Sequence, residues 1–94
     1  MSATGTMRRI CHFSGHVQGV GFRYTVHNLA LQYNVRGYVR NLSDGRVELV
    51  IEGPSAEMDC LLDEIRQKMN GYIDAICTNE SPATGEFFAF SIKH

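Results

Sequence analysis

At 94 residues the chain has room for one hydrophobic core and not for two. With 44% apolar and 20% charged residues it has the balance of a soluble globular domain, and its net charge of −1 argues against a general nucleic-acid binder, which would carry a basic face. No apolar run approaches the roughly 18 residues that span a bilayer, and Met1–Thr6 lacks the charged and apolar segments of a secretory leader, so no membrane is expected and the cytoplasm is the expected compartment.

Met1–Thr6 is small and polar and reads as a disordered tail ahead of one domain over residues 7–94. Arg8–Ser14 reads as a strand with Cys11 and Phe13 facing inward and His12 outward. After a glycine-rich turn, Phe22, Val26, Leu29, Ala30 and Tyr33 fall at helical spacing, with Asn34 as a left-handed stop. Val35–Asn41 alternates Val35, Gly37 and Val39 against Arg36, Tyr38 and Arg40, and Leu42–Gly45 turns it into Arg46–Glu52 as a hairpin. Arg36, Tyr38 and Arg40 then read as solvated side chains of a wet face.

Gly53-Pro54-Ser55 breaks the strand and opens a second helix, with Glu57 and Asp59 in its first turn, a stripe of Met58, Leu61, Leu62, Ile65 and Met69, and Asn70-Gly71 at its end. Tyr72–Thr78 reads as a fourth strand and Asn79–Glu86 as a polar loop. Phe87–Lys93 is a fifth strand with Phe88, Phe90 and Ile92 on one face. This order predicts an α+β, ferredoxin-like sandwich, βαββαβ plus a short terminal strand, with a mainly antiparallel sheet and both helices on one face.

Cys11, Cys60 and Cys77 cannot all pair within one chain, their spacing fits no metal pattern, and each lies in an apolar-periodic segment, so buried thiols are expected. Strand alternation also sends Cys11 and His12 to opposite faces, which prevents joint chelation. His12 and His16 read as surface or turn residues. No metal and no cofactor is expected.

Gly15–Arg23 joins the first strand to the first helix. Such a turn suits an anion: glycines let the backbone approach a ligand, successive N–H groups form a concave nest, and the helix start adds free donors. The expected donors are the N–H groups of Val17, Gln18, Gly19, Val20, Gly21 and Phe22, with the planar, permanently charged fork of Arg23 beside them. Three glycines in seven residues also occur in loops that bind nothing, and the spacing matches neither a Walker loop nor a dinucleotide fingerprint. A helical crossover makes the first two strands run the same way, so both end on one edge of the sheet. Asn41 continues the inward series of Val39 and is therefore expected to point its amide at the turn.

The run Val17-Gln18-Gly19-Val20-Gly21-Phe22-Arg23, followed by Gly37-Tyr38-Val39-Arg40-Asn41 and Asp44-Gly45, resembles the small acylphosphatases over about Arg8 to Lys93. The resemblance implies a ferredoxin-like fold and metal-free hydrolysis of acyl phosphates, with a phosphate-binding Arg matching Arg23 and a water-positioning Asn matching Asn41. Tyr72 stands where the family often has proline, and Gly21 fills a variable position where it is expected to loosen the loop. The expected partner is a small acyl phosphate, and a monomer is expected. One rival is a carbamoyl-phosphate-handling or non-catalytic module of the same fold, as in hydrogenase-maturation carbamoyltransferases. The chain ends at His94 without zinc-finger or transferase sequence, which favours the free-standing enzyme. The other rival, an RNA-binding domain of this topology, wants stacking aromatics on the open sheet face, where only Tyr38 is well placed.

Overall fold

The structure, a computed structural model, describes residues 6–94. The elements run β1 (Thr6–Gly15), α1 (Phe22–Ala30), β2 (Arg36–Asn41), β3 (Val47–Pro54), α2 (Ser55–Lys68), β4 (Ile73–Pro82) and β5 (Phe90–Lys93). The five strands form one sheet in the order β4-β1-β3-β2-β5. β1 pairs antiparallel with β3 and β4, β2 antiparallel with β3, and β5 parallel with β2. The ferredoxin-like α+β architecture follows. Of the expected tail, Met1–Gly5 lies outside the described residues, and Thr6 already opens β1 opposite Pro54.

Alternation selects the side chains that meet the helices. Phe13 of β1, Val39 of β2 and Leu49 and Ile51 of β3 are fully buried, beneath Phe22 and Val26 of α1 and Met58, Leu61 and Ile65 of α2. The rings of Phe13 and Phe22 lie 5.1 Å apart at a tilt of 59°, which fastens the start of α1 to the end of β1. Arg9 shares the inward register and is only 8% exposed. A buried charge needs partners, and Arg9 finds Asp59 of α2 at 2.7 Å and Glu80 of β4 at 2.6 Å.

Several expected boundaries move. α1 stops at Ala30, because Gln32 N–H and Tyr33 N–H reach back only three residues, to the Leu29 and Ala30 carbonyls, and tighten the chain out of the helix. Asn34 is not left-handed, since among the described residues only glycines have positive φ. Met69 ends α2 in place of Asn70-Gly71. β3 runs through Gly53 to Pro54, and Asp59 lies beyond the first turn of α2, where its carboxylate serves Arg9. β4 extends through Asn79–Pro82, where a polar loop is expected, because β1 reaches far enough to pair with it as far as Met7. Cys11 is buried as expected, whereas Cys60 and Cys77 are exposed. Cys60 falls off the inward stripe of α2, and Cys77 stands opposite His12, on the face of edge strand β4 that the helices do not cover.

That open face is built, not merely wet. Glu48 accepts from His12 Nε2 at 3.0 Å, Arg40 Nε at 2.7 Å and Tyr38 Oη at 3.1 Å, so Tyr38 and Arg40 are network members and not free solvated side chains. Because β4 and β5 are opposite edges, the chain between them must cross the whole sheet, and it does so here. Glu52 accepts from the N–H groups of Thr84 and Gly85 at 2.8 and 2.9 Å and from Arg8 Nε at 2.8 Å. Phe87 packs edge-on to Tyr38 at 5.9 Å with the Arg8 guanidinium over its ring. The crossing delays β5 to Phe90 and leaves Phe88, expected beside Phe90 in the core, 95% exposed.

Burial pushes the Glu52 carboxyl up, but the Thr84 and Gly85 N–H groups and the Arg8 guanidinium outweigh it and hold it down to about 2. A carboxyl lowered on folding stabilises fully above its unfolded value of 4.5 and loses that contribution as pH falls towards about 2. Glu52→Gln is therefore expected to be less stable than wild type at neutral pH, by about 1–3 kcal/mol, with the gap closing in acid. Urea midpoints measured across that range test this, and a constant gap would contradict it.

Candidate active site

β1 ends just after a register shift between Ser14 and Gly15, with Gly15 still paired to Ile73 of β4. His16 N–H is then caught by the Tyr72 carbonyl at 2.9 Å. Val17, 1% exposed, anchors the loop in the core. Gly19 and Gly21 take φ of 79° and 77°, a conformation that costs an L side chain roughly 1–2 kcal/mol. Gly21 occupies the cap of α1 and makes no side-chain bond. It therefore meets a conformational demand of the turn, where the sequence suggested only looseness. The first helical bond is Thr25 N–H to the Gly21 carbonyl. Among the described residues, the N–H groups from Val17 to Tyr24 donate to no backbone carbonyl. Those of Phe22, Arg23 and Tyr24 are the free donors of a helix start, and the rest belong to the turn ahead of it.

A cavity of about 250 Å³ opens beside them, lined by Val17, Gly19, Gly21, Phe22, Arg23, Tyr24 and Asn41. Four of the six expected cradle residues thus meet Arg23 and Asn41, while Gln18 and Val20 stay out of the wall. Val20 packs against the core. Gln18 turns the other way: its Nε2 donates to the Leu42 carbonyl at 2.8 Å and to the Arg46 carbonyl at 2.9 Å, fixing the turn to the β2–β3 hairpin. Arg23, in the first turn of α1, is steadied through Nη1 by the Lys93 carbonyl at 3.2 Å and lies 3.4 Å from His94 Nδ1. Most of its five N–H donors remain for a ligand.

Asn41 ends β2 opposite Val47, in the inward register that alternation predicts. Its Oδ1 is buried and, among the described residues, accepts no hydrogen bond. Native proteins rarely leave such an atom idle. Two other clefts, about 320 Å³ beside Arg66 and Asp74 and about 270 Å³ beside Arg36 and Glu52, have both charge signs in their walls. The cavity at the turn has Arg23 as its one charged wall, so its field favours an anion. Sequence reasoning missed the Gln18 clamp and the Lys93 support, since each joins segments distant in the chain, and it missed the Tyr24 wall because Tyr24 lies off the apolar stripe of α1.

The family model Acylphosphatase matches residues 10–92. The chain belongs to the acylphosphatase family. An acylphosphatase of Syntrophus aciditrophicus is 42% identical over 90 residues, covering 94% of each chain. The acylphosphatase structure from Bacillus subtilis superposes with a TM-score of 0.84 at 33% identity, over 94% of this chain and 99% of that one. HypF from T. kodakarensis gives a TM-score of 0.79 at 35% identity over 92% of this chain, but over only 12% of its own length. The family's members thus share the whole of this fold, and HypF shares it within a much larger chain.

The Gln18 clamp predicts a graded response. Gln18→Ala is expected to lose about 1–2 kcal/mol, and Gln18→Glu more, since a carboxylate offers no donor to two carbonyl oxygens. Urea unfolding of the three proteins checks the order, and a Glu variant as stable as wild type would contradict it.

Proposed function

We propose that this chain hydrolyses acyl phosphates to a carboxylate and inorganic phosphate, holding the phosphoryl end in the Gly15–Arg23 turn and the attacking water on Asn41. The observation that carries the reading is Asn41 Oδ1, a buried acceptor without a partner in the same cavity as Arg23 and a run of unspent N–H donors. An acyl phosphate satisfies all three. Its phosphoryl oxygens take N–H groups of the Val17–Phe22 turn, from Val17, Gly19, Gly21 and Phe22 in the cavity wall and from Gln18 and Val20, whose side chains point away but whose N–H groups donate to no backbone carbonyl, together with the Arg23 fork. Its hydrolysis requires a water, which donates one hydrogen to Asn41 Oδ1.

Phosphoryl transfer passes through a loose transition state with charge spread over the equatorial oxygens, so positioned donors accomplish most of what is needed. Water attacks phosphorus in line with the departing acyl oxygen, the bond from phosphorus to that oxygen breaks with its electron pair, and a carboxylate leaves. Asn41 is too weak a base to take the proton of the water, which passes to a phosphoryl oxygen and leaves with inorganic phosphate. The carboxylate is already a good leaving group and needs no acid. The charge complement in this scheme comes from N–H groups and Arg23, so it uses no metal. Every group in the scheme comes from one copy, which suits a monomer, and the compartment proposed is the cytoplasm.

Release of phosphate from benzoyl phosphate with a chelator present tests the activity, which is expected to proceed unchanged. Two variants then separate the roles. Arg23→Lys keeps the charge but loses the two-pronged grip, so inhibition by inorganic phosphate is expected to weaken along with turnover. Asn41→Ala is expected to lower kcat and kcat/KM together, by roughly 10²-fold or more, with phosphate inhibition nearly unchanged. Phosphate binding weakened equally in both variants would assign Asn41 to the cradle and contradict its role in placing water.

A further inference from the structure

We infer that Tyr24 is the acyl-binding residue of this site and gives it a preference for acyl phosphates with a flat, apolar acyl group. The inference rests on the acyl phosphate reading and extends it to the half of the substrate that the phosphate cradle does not touch. Four large apolar side chains are strongly exposed among the described residues: Tyr24, Leu31, Tyr72 and Phe88. Tyr24 alone among them lines the cavity, and it does so with 68% of its surface exposed. A helical side chain leans towards the N-terminus of its helix. From the first turn of α1, the Tyr24 ring therefore leans towards the glycine turn.

In-line displacement decides which part of the substrate meets this ring. The attacking water and the leaving oxygen lie on opposite sides of phosphorus. Asn41 Oδ1, which takes the water, is buried at the inner wall. The acyl group must then leave on the outer, solvent side, where Tyr24 stands exposed. Tyrosine presents an apolar face there at little entropic cost, and stacking on a flat acyl group removes surface of both from water.

The test compares benzoyl phosphate with acetyl phosphate in wild type, Tyr24→Ala and Tyr24→Phe. It is repeated as equilibrium binding with the non-hydrolysable benzoylphosphonate and acetylphosphonate. Wild type is expected to have the lower KM and the tighter binding for the benzoyl compounds. Tyr24→Ala is expected to reduce that preference about three- to ten-fold, the size of one aromatic contact, with the change in KM and not kcat. Tyr24→Phe, which keeps the ring, is expected to retain the preference. An exposed position makes loss of folding no obstacle to the alanine variant. Equal affinity of wild type for the two phosphonates, or a Tyr24→Ala variant that weakens both alike, would overturn the assignment. Phosphonate binding with the benzoyl preference but without turnover of either phosphate would leave the Tyr24 assignment standing and overturn the hydrolytic reading instead.

Discussion

One side-chain amide holds the two halves of the site in register. Gln18 Nε2 bonds the Leu42 and Arg46 carbonyls, the two edges of the hairpin that follows Asn41. The Leu42 N–H to Arg46 carbonyl bond, 2.8 Å, closes the same hairpin, so the clamp grips a structure already rigid. The turn supplies free N–H groups and β2 supplies Asn41, yet β3 lies between β1 and β2 in the sheet. Parallel direction brings their ends to the same edge, but the proposed reaction requires a water and a phosphoryl group to be placed to a fraction of an ångström. β3 sets a common register, since Val47 pairs with both Phe13 and Asn41, and the hydrogen-bonded link between the two loops extends it beyond the strand ends. The motif glutamine thus has a structural duty distinct from the backbone N–H expected of it.

The far side of the sheet contributes to the same end. Glu52, with Arg8, fastens the segment that crosses from β4 to β5, and the crossing delivers β5 alongside β2 in parallel register. The end of β5 then offers the Lys93 carbonyl to Arg23. An arginine fork binds best when its own rotamer is already fixed, so an ion pair on the opposite face helps to pre-set the phosphate grip proposed for Arg23. The open face is occupied accordingly, by Glu48 with His12, Tyr38 and Arg40 and by Phe87 over Tyr38.

The parts of the site that follow from period and topology were legible in the sequence. Asn41 was placed on the inward face by alternation, and Gly15–Arg23 on a strand-to-helix junction by the change of period from two to 3.6. Features that depend on a tertiary partner were not. β4 is longer than its polar C-terminal half suggests, because the register with β1 continues to Met7. Phe88 alternates correctly with Phe90 but sits in a crossing segment, where alternation has no sheet to refer to. The thiols of Cys60 and Cys77 were misread because their apolar neighbours define a stripe and an edge that they themselves miss. Gln18 was beyond reach for a simpler reason: nothing in a sequence says where two loop carbonyls will point.

In the proposed reaction, water held by Asn41 attacks phosphorus and not the acyl carbon. Hydrolysis of benzoyl phosphate in water labelled with heavy oxygen, followed by mass analysis of both products, tests it most directly. Attack at phosphorus puts the label in inorganic phosphate and leaves benzoate unlabelled, and this outcome is expected. Label in the benzoate would mean that the water is delivered to the acyl carbon, contradicting the assignment of the turn, Arg23 and Asn41 to one phosphoryl centre.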